Sequence, residues 1–494
     1  MENLEIERRF VLYPCSMKRF LKSRSISCEK SSIVQFYLVA TEGEAVRYRR
    51  RGDTFTRTVK RGSGLVRIED EERIPKSLFE EALRRNRGGV IRKERFVFEI
   101  DGVAYELDSF KKPLKGLNIL EVEFKSESDA KSFALPELFE SVVAAEVTDN
   151  PDFTNGAISK RMRIPTIERP LKELLKEVDG RRDFSKASVS VKFTPYESAA
   201  HAVKAILYSL MKTVRTDRSA ILEGTEDPER LHQLRVAMRK TRALLSQMGG
   251  VFDPMWRMEQ KESLGSLMRE TGDMRDLDVH IEEIEEFRRM LPKRLHGALR
   301  KMEERLLERR KSERERLRVF LMGEKFTAQI EELERFAQTS SEEGLCEEAF
   351  SPLILPVKSV LKSRYAKVLK RGSLIDKKSP AEEYHAVRID VKKLRYMMEF
   401  FSSIFDEEAY RRMASKLKSI QTVLGKHQDL DVQSRHIDSL KRHPDMQEGE
   451  TLEALEVLKK RMDLMQMEKR AQFRREFREF SKTQALFKKM ICRF

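Results

Sequence analysis

Two stretches of this chain repeat each other at a fixed distance, and that repetition limits the fold more than any single motif does. Leu231 to Met248 reads LHQLRVAMRKTRALLSQM. Wound at about 100° per residue, it puts His232, Arg235, Arg239 and Arg242 on one face, and Leu234, Ala237, Met238, Leu244 and Leu245 on the other. Asp227-Pro228 supplies a helix start just upstream. Tyr384 to Phe401, YHAVRIDVKKLRYMMEFF, repeats the pattern at an offset of 153, with Ser379-Pro380 as the second expected cap. His385, Arg388, Lys392, Lys393 and Arg395 fall on His232, Arg235, Arg239, Lys240 and Arg242. The same offset lays GDMRDLDV (Gly272 to Val279) on GKHQDLDV (Gly425 to Val432). Two blocks with one offset imply a duplicated helical unit.

A single basic stripe is most simply a solvated helix face. Solvation alone, however, is served by mixed charge, as in Arg300 to Arg318, whereas here a same-sign cluster is repeated position by position. A cluster held against its own repulsion points to an anion as its partner. The repeated H-x2-R-x3-[RK]-[RK]-x-R block followed by D-L-D-V resembles the CHAD domain, the conserved-histidine α-helical module, over roughly Tyr196 to Phe494. That resemblance implies two pseudo-symmetric four-helix bundles and inorganic polyphosphate bound along the basic surface between them.

The N-terminal third follows a different period. Leu4 to Phe10 alternates, with Glu5, Glu7 and Arg9 on one side and Leu4, Ile6, Arg8 and Phe10 on the other. The charged period-two pattern recurs as Arg47/Arg49, Thr58/Lys60, Arg67/Glu69/Glu71, Lys93/Arg95, Glu106/Asp108 and Glu121/Glu123. Most runs are separated by breaks such as Gly52-Asp53, Gly88-Gly89 and Asp101-Gly102. Many strands with charged alternate positions predict a closed antiparallel barrel with a charged interior. Two carboxylates about 4 Å apart repel by roughly 4 kcal/mol at an effective dielectric near 20, so four in one tunnel require cations between them. The E-x-E pairs Glu5/Glu7 and Glu121/Glu123 offer hard oxygen ligands suited to Mg²⁺ or Mn²⁺. Arg and Lys on the other strands offer donors to phosphate oxygens, the layout of phosphoryl transfer.

In order, E-I-E-R-R, R-Y-R, T-V-K, R-I-E-D-E, K-E-R, L-D-S-F, E-V-E-F and the closing E-V-T-D-N-P-D-F-T-N from Glu146 to Asn155 resemble the CYTH domain of triphosphate tunnel metalloenzymes. The resemblance implies metal at Glu5, Glu7, Glu121 and Glu123, and triphosphate held by Arg47, Arg49, Lys60, Lys93 and Arg95. It further implies that Glu69 and Glu71 place the attacking water or a second metal, a pair with Arg67 or a barrel cation being the competing reading. The resemblance makes Arg9 a catalytic position, where the family usually has lysine; arginine keeps the charge but is longer and planar, so turnover or substrate fit is expected to differ even where binding survives.

The expected architecture is therefore a tunnel domain over 1–160, a linker over 161–195, and an all-α domain over 196–494 with repeats at about 196–345 and 350–494. Ala130 to Val147 is expected to be helical and Ala187 to Phe193 strand-like. A net charge of +16 calls for a polyanionic partner. No P-loop or dinucleotide-binding glycine motif occurs, and no aromatic stacking motif accompanies the stripes, so nucleic acid is permitted and not favoured. Cys15, Cys28, Cys346 and Cys492 show no metal or disulfide spacing, which suits a reducing cytoplasm, with polyphosphate granules as a place of association. No apolar run of about 18 residues supports a membrane span. The expected function is metal-dependent cleavage of inorganic triphosphate with polyphosphate bound by the helices. The alternatives are a non-catalytic polyphosphate scaffold, or a tunnel enzyme acting on a nucleotide, thiamine triphosphate or RNA 5′-triphosphate, or as an adenylate cyclase.

Overall fold

The computed structural model describes residues 4–40, 44–61, 66–442 and 449–493; within these, the side chains at 4–5, 39–40, 44, 60–61, 66–69 and 301 are left undescribed. The alternating runs form strands β1 (Leu4–Leu12), β2 (Glu29–Ala40), β3 (Glu44–Arg51), β4 (Thr54–Arg61), β5 (Val66–Arg73), β6 (Ile91–Ile100), β7 (Val103–Phe110), β8 (Asn118–Phe124) and β9 (Val143–Glu146). Their order is β5-β4-β3-β2-β6-β7-β8-β1-β9, every neighbour antiparallel, and β5 also pairs with β1, so eight strands close on themselves. Strand β1 pairs with β8 along Ile6 to Val11, and divides its other edge between β5 at Leu4 to Ile6 and β9 at Phe10 to Leu12.

The barrel is built inside out. Phe10, Leu12, Phe96, Phe98, Tyr105, Leu107, Leu120 and Val122 alternate with the charged residues and bury outward. They lie under α1 (Met17–Ser23) and Phe139 of α4 (Glu137–Glu140); helix α2 (Lys76–Arg85) covers Phe36 and Tyr48. At one end the interior itself turns apolar. Val11, Ile91, Phe110 and Ile119 are in phase with Arg9, Lys93, Asp108 and Glu121, and they pack with Val147, Phe153, Tyr196 and Ile158, the last on α5 (Asn155–Arg161). The tunnel is thus plugged with hydrocarbon at that end.

Ala130 to Val147 is not one helix. Pro136 interrupts it, leaving α3 (Glu127–Ser132), α4 and β9, because Val143–Glu146 gains a ladder on β1. The 161–195 segment is more than a connector. Helix α6 (Leu171–Asp179) sends Leu174 and Val178 into the helical core, and Ala187, Val191 and Phe193 join them. Ala187 to Phe193 forms no strand, because its alternating apolar residues pack on helices and its N–H groups bond to side chains: Ala187 to Gln233 Oε1 (3.1 Å) and Phe193 to Ser403 Oγ (2.9 Å).

The helical domain comprises α7 (Ala199–Leu222), α8 (Pro228–Gln247), α9 (Pro254–Glu270), α10 (Gly272–Met290), α11 (His296–Met322) and α12 (Glu324–Gln338). The second half comprises α13 (Ile354–Gly372), α14 (Ala381–Phe400), α15 (Glu407–Leu440), α16 (Gly449–Ser481) and α17 (Gln484–Cys492). The offset of 153 carries α8 onto α14 at both ends, and α9 plus α10 onto the single helix α15. These are two pseudo-symmetric four-helix bundles, meeting where α8 packs on α14. Met397, Met398, Phe400 and Phe401 are core. The charged 282–335 stretch is largely helical, and Leu295, Leu299, Met302 and Leu306 bury against α15 and α16 in a second, distal core. Asp227 caps α8 by accepting from the Glu229 N–H. Ser379 does not cap α14; its hydroxyl accepts from the Asp376 N–H, and Pro380 occupies the cap position.

Candidate active site and anion groove

Pairing in register brings the charged residues of six strands into one interior: Glu7 opposite Glu123, Arg9 opposite Glu121, Glu106 opposite Glu121, Arg95 opposite Asp108, and Arg47 opposite Thr58, itself opposite Glu71. Arg95 is the hub. Its Nε and Nη2 donate to the two oxygens of Asp108 at 2.7 and 2.6 Å, Nη2 also reaches Glu121 Oε2 at 2.6 Å, and Nη1 pairs with Glu106. Lys93 pairs with Asp108 and donates to Asn155 Oδ1 (3.3 Å) at the start of α5.

Burial dominates the electrostatics, and neighbouring charge decides the sign. Desolvation alone would raise Asp108 and Glu121, but Arg95 and Lys93 outweigh it and hold both carboxyls below the usual range. Burial, aided by Arg95 and Arg49, pulls Lys93 down to about 8. Arg49, bonded to Gln35 Oε1 (3.3 Å), falls to about 10 through burial and the nearby Arg47 and Arg95. Arg47, Arg49 and Arg95, with Arg49 close to both of the others, are a demand for negative charge.

Arg9 is turned toward the closing segment: Nη2 donates to the Thr148 carbonyl (2.8 Å), Nη1 to that of Phe153 (3.4 Å), and Nε lies 3.7 Å from Glu7. Glu71 pairs with Arg47 (3.1 Å) and accepts from the Thr58 hydroxyl (2.7 Å) at an exposed rim. Glu5, Lys60 and Glu69 lie outside the described side chains, although their strands are in register with the rest. Among the described residues no group of three or more His, Cys, Asp or Glu converges as a metal cage. What they do bring together is Glu7 directly opposite Glu123, with Arg9 beside Glu7: two hard oxygen donors of the kind a divalent ion takes. Pattern reading did not single out Asp108, Glu106 and Asn155 as site residues; the Glu106/Asp108 alternation was the available signal.

In the helical domain, the stripes of α8 and α14 meet across the pseudo-twofold. Arg239 acts on His232 and Arg235 of its own helix and on Arg388 and Lys392 of the other. Burial first, then Arg388 and Arg239, pulls Lys392 down to about 7. The D-L-D-V blocks supply one acid per half, Asp276 beside Arg235 and Asp429 beside Arg388. The Nε atoms of Arg239, Arg242 and Arg388 are buried with no hydrogen-bond partner.

The halves differ in one respect. Arg235 donates to the Met268 carbonyl and Thr271 hydroxyl, both at 2.7 Å, capping the end of α9. The fused helix α15 has no such end, so among the described residues Arg388 has no equivalent anchor. His385 Nδ1 meets Gln428 Oε1 (2.6 Å), and Arg395 donates to Gln421 (2.8 Å). Lys393 stands apart, facing Arg364, Asp390, Lys367 and Lys261, and Lys240 is spent on Glu399 and the Ala187 carbonyl. Arg275 of α10, beside His232 and Arg235, is a groove cation that stripe counting on α8 missed.

The family model for the CHAD domain matches residues 205–438. An inorganic triphosphatase of Nitrosomonas europaea is 34% identical over 127 residues, which span 25% of this chain and 82% of that protein. The chain belongs to the CYTH–CHAD family. Among solved structures, the CHAD domain of the plant Ricinus communis aligns at 21% identity and TM-score 0.49 over 59% of this chain and 96% of its own. The crystal structure of an inorganic triphosphatase aligns at 28% identity and TM-score 0.24 over 31% of this chain and 93% of its own. The CYTH barrel and its plug occupy the region related to the triphosphatase, and the CHAD match runs from within α7 to within α15, so both stripes fall inside it. Among the described residues no helix of this CYTH–CHAD chain is long and apolar enough to cross a membrane.

Proposed function

We propose that the CYTH barrel is a divalent-metal-dependent inorganic triphosphatase, cleaving tripolyphosphate to phosphate and pyrophosphate, and that the CHAD groove binds inorganic polyphosphate. The observation that carries this reading is the convergence of Arg47, Arg49, Lys93 and Arg95 with Glu7, Glu121 and Glu123 in one plugged tunnel. With one end closed by hydrocarbon, a linear triphosphate enters from the Glu71 and Glu123 rim. Arg95 and Lys93 exchange carboxylate partners for phosphate oxygens, while Glu121, Glu7 and Glu123 are released to face a cation. Glu5 joins that set and Lys60 the phosphate-binding set; Glu69 and Glu71 orient water. Mg²⁺ or Mn²⁺, when bound, supplies charge neutralisation of the phosphoryl oxygens. The orphaned guanidinium nitrogens of Arg239, Arg242 and Arg388 support the polyphosphate assignment.

The test is phosphate release from tripolyphosphate, ATP, long-chain polyphosphate and pyrophosphate with Mg²⁺, Mn²⁺ or EDTA. Tripolyphosphate with metal should be turned over fastest, and Glu7→Gln or Glu121→Gln should lose roughly two or more orders of magnitude in kcat. Full activity in EDTA, or unchanged turnover in both variants, overturns the tunnel assignment.

A further inference from the structure

Cys15 and Cys492 lie 477 residues apart in sequence and meet where the barrel docks on the second helical bundle. Cys15 follows β1 in the Tyr13-Pro14-Cys15 segment. The Tyr13 hydroxyl donates to the Ile404 carbonyl (3.2 Å), and the Arg493 guanidinium covers its ring at 4.7 Å. Cys492 ends α17. Between the thiols stands Lys358 of α13, only 6% exposed, whose Nζ lies 3.0 Å from Cys15 Sγ, 3.2 Å from Cys492 Sγ and 2.8 Å from the Pro14 carbonyl. The Cys15 thiol also lies 3.5 Å from the Cys492 carbonyl, so the two sulfurs are neighbours that share one ammonium.

A buried ammonium needs a counter-charge, and the described partners of this one are two sulfurs and a carbonyl, with no carboxylate among them. The charge is balanced when one thiol ionises. Lys358 touches both sulfurs; the neighbouring Cys15 thiol and then Lys358 lower Cys492 to about 6 against burial, while the partner thiol and burial push Cys15 up. The chain thus holds a thiol poised to ionise, the cation that stabilises its thiolate, and a second thiol on the same ammonium at the interface between its two domains.

We propose that Cys492 and Cys15 are a peroxide-responsive pair that forms a reversible disulfide fastening the barrel to the helical domain. The Cys492 thiolate attacks one oxygen of hydrogen peroxide, the O–O bond breaks, and the departing hydroxide takes a proton to become water, leaving a sulfenic acid. The Cys15 thiol then loses its proton and attacks the Cys492 sulfur, expelling hydroxide that also leaves as water. Two thiols are oxidised by two electrons and one peroxide is reduced to two waters. A dithiol reductant reverses the bond by exchange. Because the bond joins the exit of the first strand to the last helix, it closes a loop of nearly the whole chain, and β1, which carries Glu7 and Arg9, becomes tethered to the CHAD domain.

The full-length chain is treated with one equivalent of hydrogen peroxide at neutral pH, free thiols are alkylated, and peptides are mapped without reduction. Cys28 and Cys346, which have no such partner among their described contacts, serve as internal references. The expected result is a Cys15–Cys492 cross-linked peptide that disappears on reduction while Cys28 and Cys346 are still alkylated, with a raised unfolding temperature for the oxidised form. Lys358→Met should slow cross-linking by about tenfold. Cys15→Ser should stop Cys492 at a sulfenic acid that a 1,3-dione traps. Equal oxidation of all four cysteines, or conversion of Cys492 to sulfinic acid with Cys15 still alkylated in the unsubstituted chain, overturns the proposal.

Discussion

Replacing Arg95 by Met tests whether the tunnel is a charge-balanced network centred on that residue. The guanidinium serves three carboxylates that differ in exposure: Asp108 at 1% side-chain exposure, Glu121 at 9% and Glu106 at 20%. Glu106 can turn to water and costs little. Asp108 keeps Lys93, while Glu121 keeps the more distant influence of Lys93 and Arg9, so it bears most of the loss. Stranding a buried carboxylate costs about 3–5 kcal/mol, and the retained Lys93 contact places the expectation at the low end. For a domain of this size that is a fall of roughly 6–12 °C in melting temperature, or about two orders of magnitude in the protection of β6 and β7 amides. Hydrogen exchange followed by mass spectrometry over residues 91–110 reads the barrel. The single tryptophan, Trp256, stacked on Phe336 at 4.1 Å in the helical domain, reads the other domain in the same sample. Arg95 holds Glu121 below the usual range; without it, burial raises that group, so the variant gains a proton on folding and its deficit should shrink from pH 8 to pH 5. Unchanged protection of 91–110, a deficit independent of pH, or an equal shift in the Trp256 transition would each refute the hub.

Other outcomes follow from the groove and the helical core. The joint contribution of Arg235 and Arg388 is tested by the double variant Arg235→Ala/Arg388→Ala, which should lose most affinity for long-chain polyphosphate and show a shallower salt dependence in a binding titration. Lys392 is pulled down to about 7 and is re-protonated by a bound polyanion, so calorimetry at pH 7.5 should register proton uptake on polyphosphate binding, and Lys392→Arg should abolish it. Neutralising the same repelled cation by Lys392→Gln should raise the unfolding temperature of the helical domain at pH 7 while weakening polyphosphate, read by Trp256 fluorescence. Asp217, fully buried on α7 and pushed up to about 7 by burial despite Arg230 at 3.4 Å, is penalised when ionised, so stability falls as pH rises from about 4 through 7. Asp217→Asn should stabilise the helical domain by about 1 kcal/mol at pH 8 and not at pH 4.

Periodicity carried most of the fold because it is a local signal. The Glu7/Arg9 and Lys93/Arg95 alternations fixed which side of each strand is charged, and closure of the ring then required those sides to share one interior. The offset of 153 likewise fixed the pairing of α8 with α14. What sequence could not carry was contact between distant or half-ordered pieces. Within 161–195 the helix spacing of Leu171, Leu174 and Val178 and the alternation of Ala187 to Phe193 are each too short to show what they pack on, so their role as part of the helical core was hidden in what read as a connector. Lys393 has the same helical phase as Lys240, yet packing against α13 takes it out of the groove. The cap that Arg235 makes on α9 depends on a helix break that the repeat at α15 lacks. Cys15 and Cys492 have no spacing relation at all; only the docking of the two domains brings them together.

The barrel and the groove hold their cations by different means, and on the proposed reading the difference bears on what each can bind. In the barrel, Arg95 and Lys93 are already satisfied by Asp108 and Glu121, so an entering phosphate gains little unless something else takes over the displaced carboxylates. In the groove, among the described residues, Arg239, Arg242 and Arg388 each retain a buried nitrogen with no acceptor, and Asp276 and Asp429 offset only Arg235 on one side and Arg388 and Lys392 on the other. An anion there relieves repulsion directly. On the proposed reading, the tunnel's own electrostatics therefore require a cation to arrive with the triphosphate. The groove requires only a chain of phosphates long enough to touch both halves, because the repulsion to be relieved lies between Arg239 on one helix and Arg388 and Lys392 on the other.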